Sequence, residues 1–226
     1  MKAIILAAGM GSRLGNPKPK PLTQLNNGEM ILERQVNYLQ QFISVDDICV
    51  IVGFKKDLIM EEFPELAFVF NNVYDQTNTS KSLLKGLRKI KNEDIIWMNG
   101  DVVFDSEVLK RVIEFKGSCM AVNTSAVADE EVKYNVFDDG SIREVSKTVA
   151  QPLGESVGVN KIISKDIPLF IQMLEAVDNN DYFERGIEIG IEKGMKVFPV
   201  DVSDVLCIEV DFKEDLENAN RLLGEN

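Results

Sequence analysis

The sequence predicts an α/β protein, with a mostly parallel sheet flanked by helices and a small antiparallel addition in its second half. Short apolar runs alternate with helix-patterned stretches up to about residue 118. Beyond that point strand-like runs crowd together, and Asp138-Asp139-Gly140 is a turn signal between two of them. Strand, helix, strand, helix with short connections is the pattern of a parallel sheet covered on both faces.

The elements follow in order. Residues 3–6 form a buried-strand candidate. Leu32, Val36, Leu39 and Ile43 recur at helical spacing. Residues 48–52 are a second β-rich run, 55–62 a charged helical stretch and 67–70 a third strand. Leu83, Leu84 and Leu87 share one helix face, residues 95–98 form the next strand, and Val108, Val112 and Ile113 mark a helix. In the second half, 119–122, 133–137, 142–146 and 156–163 are strand-like. Helical stretches at about 165–177 and 181–193 follow, then late strands at 197–200 and 206–210, and a last helix carrying Leu216, Ala219 and Leu223. With no Pro/Ser-rich linker, repeat or low-complexity stretch, residues 1–226 are expected to form a single domain.

The bulk composition narrows the chemistry. The 226 residues are 45% hydrophobic and 27% charged, ordinary for a globular protein. No apolar run approaches the ~18 residues of a membrane span, and the short apolar start lacks the rest of a signal peptide. A cytoplasmic protein with no membrane partner is expected. The net charge of -12 argues against a nucleic-acid backbone as partner, but not against a nucleotide in a locally basic pocket. Cys49, Cys119 and Cys207 are far apart in apolar contexts and read as reduced core residues. The chain has no histidine, which excludes His-based triads, His-ligated zinc and imidazole bases. Chemistry falls to carboxylates, Lys, Arg, hydroxyls or a bound metal.

One loop stands out. The first strand runs directly into Ala7-Ala8-Gly9-Met10-Gly11-Ser12-Arg13-Leu14, and Pro19-Lys20-Pro21-Leu22 follows. Small side chains let backbone N–H groups approach phosphate oxygens, and Arg13, Lys18 and Lys20 add positive charge. The Rossmann fingerprint fails because Leu14 stands where a third glycine belongs, and the P-loop Gly-Lys-Ser/Thr is absent.

These residues, Leu6 to Leu22, resemble the signature of the sugar-phosphate nucleotidyltransferase superfamily, Leu-Ala-Ala-Gly-x-Gly-x-Arg followed by Pro-Lys-x-Leu. The resemblance implies a Rossmann-like, GT-A-like nucleotidyltransferase fold. It also implies that Leu6, Ala7, Ala8, Gly9 and Gly11 bind the nucleotide and that Arg13 and a lysine are catalytic. The compact spacing leaves Lys18 and Lys20 both open, and Lys20 fits the motif better.

Asp101 follows a strand candidate in Trp97-Met98-Asn99-Gly100-Asp101. An Asp at the carboxyl end of a parallel strand suits a metal bound to nucleotide phosphates, although Asn-Gly alone is also a turn signal. Asp211 ends the last strand, and with Glu214 it has capping-box spacing. The resemblance implies that Asp101 and Asp211 hold Mg²⁺, with Asp101 also contacting the nucleotide.

Further matches carry the likeness along nearly the whole chain. Tyr74, Thr77, Asn78 and Ser82 resemble a segment of cytidylyltransferases acting on small phosphorylated compounds, which implies that Asn78 and Ser82 contact the nucleotide. A stretch from Glu130 to Lys147 resembles a strand pair of that group, with Lys147 on the acceptor phosphate. Gly154-Glu155-Ser156-Val157-Gly158 resembles the group's Gly-Glu-x-x-Gly segment, which implies that Glu155 faces acceptor or ribose, and Tyr182-Phe183-Glu184 resembles an acceptor-pocket segment in which Tyr182 and Glu184 would receive a cationic amine.

The resemblance therefore implies cytidylyl transfer from CTP to a small phosphorylated acceptor such as phosphocholine, 2-aminoethylphosphonate, inositol 1-phosphate or a capsule-type phosphorylated amide. A homodimer is compatible with this reading. The rival readings are a UTP- or dTTP-dependent enzyme acting on a sugar 1-phosphate, a GT-A-type glycosyltransferase, and a nucleotide-binding module without catalysis. A glycosyltransferase would use Asp-x-Asp, but Val103 stands two residues after Asp101.

Overall fold

The computed structural model describes residues 1–15, 17–125, 127 and 131–224. In chain order the elements are β1 (Lys2–Ala7), α1 (Ile31–Leu39), β2 (Ile48–Val52), α2 (Lys56–Glu62), β3 (Ala67–Phe70), α3 (Thr79–Leu87), β4 (Ile95–Asn99), β5 (Val102–Phe104), α4 (Ser106–Glu114), β6 (Ser118–Asn123), β7 (Lys133–Val136), β8 (Ile142–Ser146), β9 (Gly154–Ile162), α5 (Ile167–Ala176), α6 (Phe183–Glu192), β10 (Val197–Asp201), β11 (Cys207–Glu209) and α7 (Lys213–Gly224). The main sheet runs β10-β6-β9-β4-β1-β2-β3, with β7 and β8 attached beside β9. Strands β4, β1, β2 and β3 are parallel, and β9 enters antiparallel between β4 and β6. This is the predicted mixed α/β architecture.

Two layers of helices cover the sheet because its strands are apolar on both faces. In β1, Ala3, Ile5 and Ala7 join the side chains of α1, α2 and α4, including Leu32, Val36, Ile59 and Val108. Ile4 and Leu6 point the other way, toward α3, α5 and α6, where Leu83, Leu87, Phe170 and Phe183 pack. The alternation follows from the two-residue period of a strand. Trp97 of β4 sits between Phe170 and Phe183, at ring-centroid distances of 5.6 and 5.5 Å.

The periodicity did not reveal β5, a short strand that pairs antiparallel with β11 to form a separate two-stranded ribbon. Three apolar residues directly after Gly100-Asp101 carry too little period to separate strand from turn. The ribbon matters because it forms a third apolar cluster. Leu14 from the first loop packs there with Val103, Leu206, Val210 and Ala219 of α7. Burying a leucine of this kind contributes about 1.5–3 kcal/mol. Here it fastens the glycine-rich loop to the ribbon.

Gly100 lies at the seam between the main sheet and the ribbon. Its N–H donates to the Leu6 carbonyl at 2.9 Å, and a Cβ at this position would lie 2.8 Å from that same carbonyl oxygen. Gly100→Ala is therefore expected to cost about 1–3 kcal/mol, the usual penalty for overpacking, and to push residue 101 away from β1. Urea denaturation of the two proteins measures it, and an unchanged midpoint would contradict the close approach.

Candidate active site

The carboxyl ends of β1 and β4 and the start of the ribbon open into a cavity of about 560 Å³. Open parallel sheets bind ligands at this edge, where neighbouring strands end and the loops diverge. One wall is the first loop, with Leu6, Ala7, Gly9, Gly11, Arg13 and Lys20. Asn99, Gly100, Asp101, Glu209 and Asp211 form the floor, and Thr79, Glu131, Lys147, Tyr182 and Glu184 close the far side.

The first loop is folded around Lys20. Gly11 has φ +57°, and a Cβ there would stand 2.6 Å from Lys20 Cγ. Only glycine both takes this left-handed backbone readily and leaves room for the lysine stem. Lys20 is 8% exposed. Its Nζ donates to Asp101 Oδ2 at 3.2 Å and also bonds Asp211 Oδ1. Burial pulls the ammonium toward its neutral form, but the two carboxylates outweigh burial and hold its pKa above the ordinary value. Arg13 Nη1 donates to Asp211 Oδ2 at 3.1 Å, and its guanidinium lies over Phe212 at 5.9 Å. Of the two lysines left open by the sequence, Lys20 is the one placed between the aspartates.

Asp211 does not spend its carboxylate on capping. The N–H groups of Asp211 and Phe212 both donate to Asp215 Oδ2, at 3.0 and 2.7 Å, so Asp215 closes the start of α7. The Asp211 carboxylate is thereby left for Lys20 and Arg13. A third acid, Glu209, completes a cluster in which carboxylate oxygens of Asp101, Glu209 and Asp211 all lie within 4.8 Å of one another. Burial and the two neighbouring aspartates push Glu209 well above the usual carboxylate range, and Asn99 Nδ2 donates to its Oε1 at 3.4 Å. Burial likewise raises Asp101, against the pull of Lys20. Three hard oxygen donors suit Mg²⁺ or a similar divalent ion, so these residues fit such an ion. Sequence reasoning passed over Glu209. The signal was its position two residues before Asp211, because alternate residues of an extended chain share a face.

On the far side, Lys147 Nζ lies 5.0 Å from the Tyr182 ring centroid. Glu184 is 7% exposed. Burial pushes its carboxyl up to about 7, against a bond from its own backbone N–H and the attraction of Lys147. Glu131 is raised too, by burial first and then by Glu155. Glu131 was missed. The acidic residue singled out in the sequence, Glu130, lies outside the described residues.

Four other candidates are not among the residues lining the cavity. Ala8 is buried behind the loop, and its carbonyl accepts from Phe54 N–H. Ser82 is buried on α3, where its hydroxyl accepts from Asn71 Nδ2 at 3.0 Å. Asn78 caps α3 through Thr79 N–H and donates from Nδ2 to the Asn180 carbonyl. Its partners belong to the segment leading to Tyr182, and Thr79 lines the cavity instead. Glu155 sits on β9 opposite Lys133.

Comparison with known proteins bears on the family and the fold. The MobA-like NTP transferase domain model matches residues 3–163. A CMP-5'-(3-aminopropyl)phosphonate synthase of Streptomyces rubellomurinus is 28% identical over 97% of this chain, which spans only 38% of that relative's length. A UTP–glucose-1-phosphate uridylyltransferase of Haloferax volcanii is 25% identical, with 100% of this chain and 97% of the relative covered. The CTP:phosphocholine cytidylyltransferase of Streptococcus pneumoniae superposes with a TM-score of 0.78 over 98% of both chains. At 20% identity that last match is a likeness of fold.

The Glu184 carboxyl makes stability depend on pH. Its native pKa of about 7 exceeds the ordinary 4.5, so between those values the native state holds more protons than the unfolded chain. Its contribution is full below about 4.5 and is lost as pH rises toward 7, by about 3 kcal/mol. Glu184→Gln imitates the protonated form. Measured by urea denaturation at pH 5 and pH 8, the variant is expected to lose less stability than the wild type over that interval. Parallel losses would refute the assignment.

Proposed function

Because the chain belongs to the MobA-like NTP transferase family, we propose that it transfers a cytidylyl group from CTP to a small phosphorylated or phosphonate acceptor, releasing pyrophosphate. The observation that carries this reading is the Lys20 ammonium set between Asp101 and Asp211 beside a glycine-rich loop, at the ligand-binding edge of the sheet. The acidic and aromatic far wall of Glu131, Glu184 and Tyr182 next to Lys147 supports an acceptor with an anionic end and a cationic or hydrogen-bonding end.

In this reading the backbone of Leu6, Ala7, Gly9 and Gly11 lines the path of the triphosphate. An acceptor oxygen attacks the α-phosphorus in line, the new P–O bond forms, and the bond from Pα to the bridging oxygen of pyrophosphate breaks. The acceptor phosphate is already ionised at neutral pH, so no general base is required, in keeping with a chain that lacks histidine. Lys20 and Arg13 offset the negative charge that builds on the α-phosphate and the departing pyrophosphate. Lys147 and Tyr182 hold the acceptor for attack, which lowers the barrier by positioning. Asp101 and Asp211, with Glu209 beside them, would hold Mg²⁺, which when bound supplies charge neutralisation to the phosphates. A cytoplasmic location accompanies this reading.

A second reading has one specific support. The Haloferax relative, matched along almost its whole length, is a uridylyltransferase acting on a sugar phosphate. UTP or dTTP with a sugar 1-phosphate is therefore the alternative. Pyrophosphate release measured for CTP, UTP and dTTP against amine-bearing phosphomonoesters, a phosphonate and sugar 1-phosphates separates the two. Release with CTP and a small amine-bearing acceptor is expected, and release confined to UTP or dTTP with a sugar 1-phosphate would replace the first reading by the second. Nucleotide binding with no release in any pair would point to a module without catalysis.

With the productive pair, Lys20→Ala and Asp101→Ala are each expected to lower kcat at least ~10²-fold, the scale of losing one transition-state stabiliser, while circular dichroism stays native. Near-normal turnover in either variant removes that residue from the site.

A further inference from the structure

Resting on the metal-assisted reading of the three-carboxylate cluster, we infer that Gln35 is a positioning residue that fixes the turn carrying Asp101. Gln35 lies on α1, is not among the residues lining the cavity, and is 1% exposed. Its Nε2 donates to the carbonyl of Asn99 at 2.9 Å and to that of Val102 at 2.8 Å. These two carbonyls bracket Gly100-Asp101. A single side-chain nitrogen thus spans the two residues between β4 and β5, where the chain leaves the main sheet for the ribbon.

The rest of the turn is held by backbone. Gly100 N–H donates to the Leu6 carbonyl, and the Asp101 carbonyl accepts from Val210 N–H at 2.9 Å, next to Asp211. The Gln35 amide is the side-chain member of this set, and it acts on the face that the backbone bonds leave open. Its position is costly for packing alone, because its Oε1 is buried with no hydrogen-bond partner among the described residues. A buried amide with half of its bonding capacity unmet is a local conflict of the kind that proteins keep at functional sites. An apolar residue of the same size would fill the space and leave both carbonyls orphaned, freeing the turn to shift. Because Asp101 is joined through Val210 to the strand end that carries Asp211, that shift would open the carboxylate cluster.

The test is direct binding of Mn²⁺ alone, followed by the EPR signal of the free ion, at a temperature well below the unfolding transition of each protein. Gln35→Met keeps the volume and removes the donor. Gln35→Asn keeps the amide but is one methylene too short to span both carbonyls. Both are expected to bind Mn²⁺ ~10-fold more weakly than the wild type, the low end of the loss that follows removal of a direct partner of a metal ligand, since Gln35 holds the flanking carbonyls and not the carboxylate, with native far-UV circular dichroism. Should Gln35→Met fail to fold, Gln35→Asn decides in the same way. Wild-type Mn²⁺ affinity in the folded variants, with binding lost in Asp101→Asn, overturns the inference and leaves the site reading standing. Wild-type affinity in Asp101→Asn, or no binding by the wild type, overturns both.

Discussion

Three carboxylates converging within 4.8 Å of one another repel, and the architecture around them answers that repulsion. At an effective dielectric of about 20, a pair of unit charges at this distance costs about 3 kcal/mol. Lys20 meets part of the cost by standing between Asp101 and Asp211, and Arg13 meets more from the solvent side. The remainder appears in the raised pKa values of Glu209 and Asp101, which follow burial first and the neighbouring charges next. Three carboxylate oxygens grouped this closely are a donor set of the kind a divalent cation takes.

Holding the cluster requires the backbone to bring distant segments to one point. Residues 20, 101 and 211 come from the first loop, the end of β4 and the end of β11. The small ribbon of β5 and β11 makes this meeting geometrically sharp, because Val210 N–H bonds the Asp101 carbonyl and sets one aspartate against the other. Leu14 ties the glycine-rich loop to the same ribbon through a shared apolar cluster. Glycine serves at two close approaches around the cluster, beneath Lys20 and against the end of β1.

The far wall is built by a different device. The first turn of α3 is stitched to the segment before α6. Asn78 N–H and Nδ2 donate to the carbonyls of Asn179 and Asn180, and Phe183 N–H donates to the Thr79 hydroxyl. Lys81 reaches the carbonyls of Leu174 and Val177 at the end of α5. These bonds set Tyr182 and Glu184 against the cavity, so Asn78 bears on the far wall through the chain it holds and not through its own side chain lining the pocket.

Much of the fold was legible in the sequence, since apolar alternation and helical spacing marked nearly every element within a few residues. The first loop was legible as well, because glycines, cations and prolines crowd into one short stretch directly after a strand. Ribbon strand β5 was not, because three apolar residues after a turn carry no readable period. The choice between Lys18 and Lys20 stayed open because both lie in the same Pro-Lys run, and only the fold shows which ammonium reaches Asp101. Whether Asp211 capped a helix could not be read either, since Asp215 lay equally near in sequence and the capping bond depends on backbone direction. The sequence by itself determined the layered α/β plan and the chemistry available, carboxylates and cations without histidine. Tertiary structure alone decided which of those charges meet, because Lys20, Asp101 and Asp211 are separated by 81 and 191 positions along the chain, and electrostatic coupling depends on distance in space.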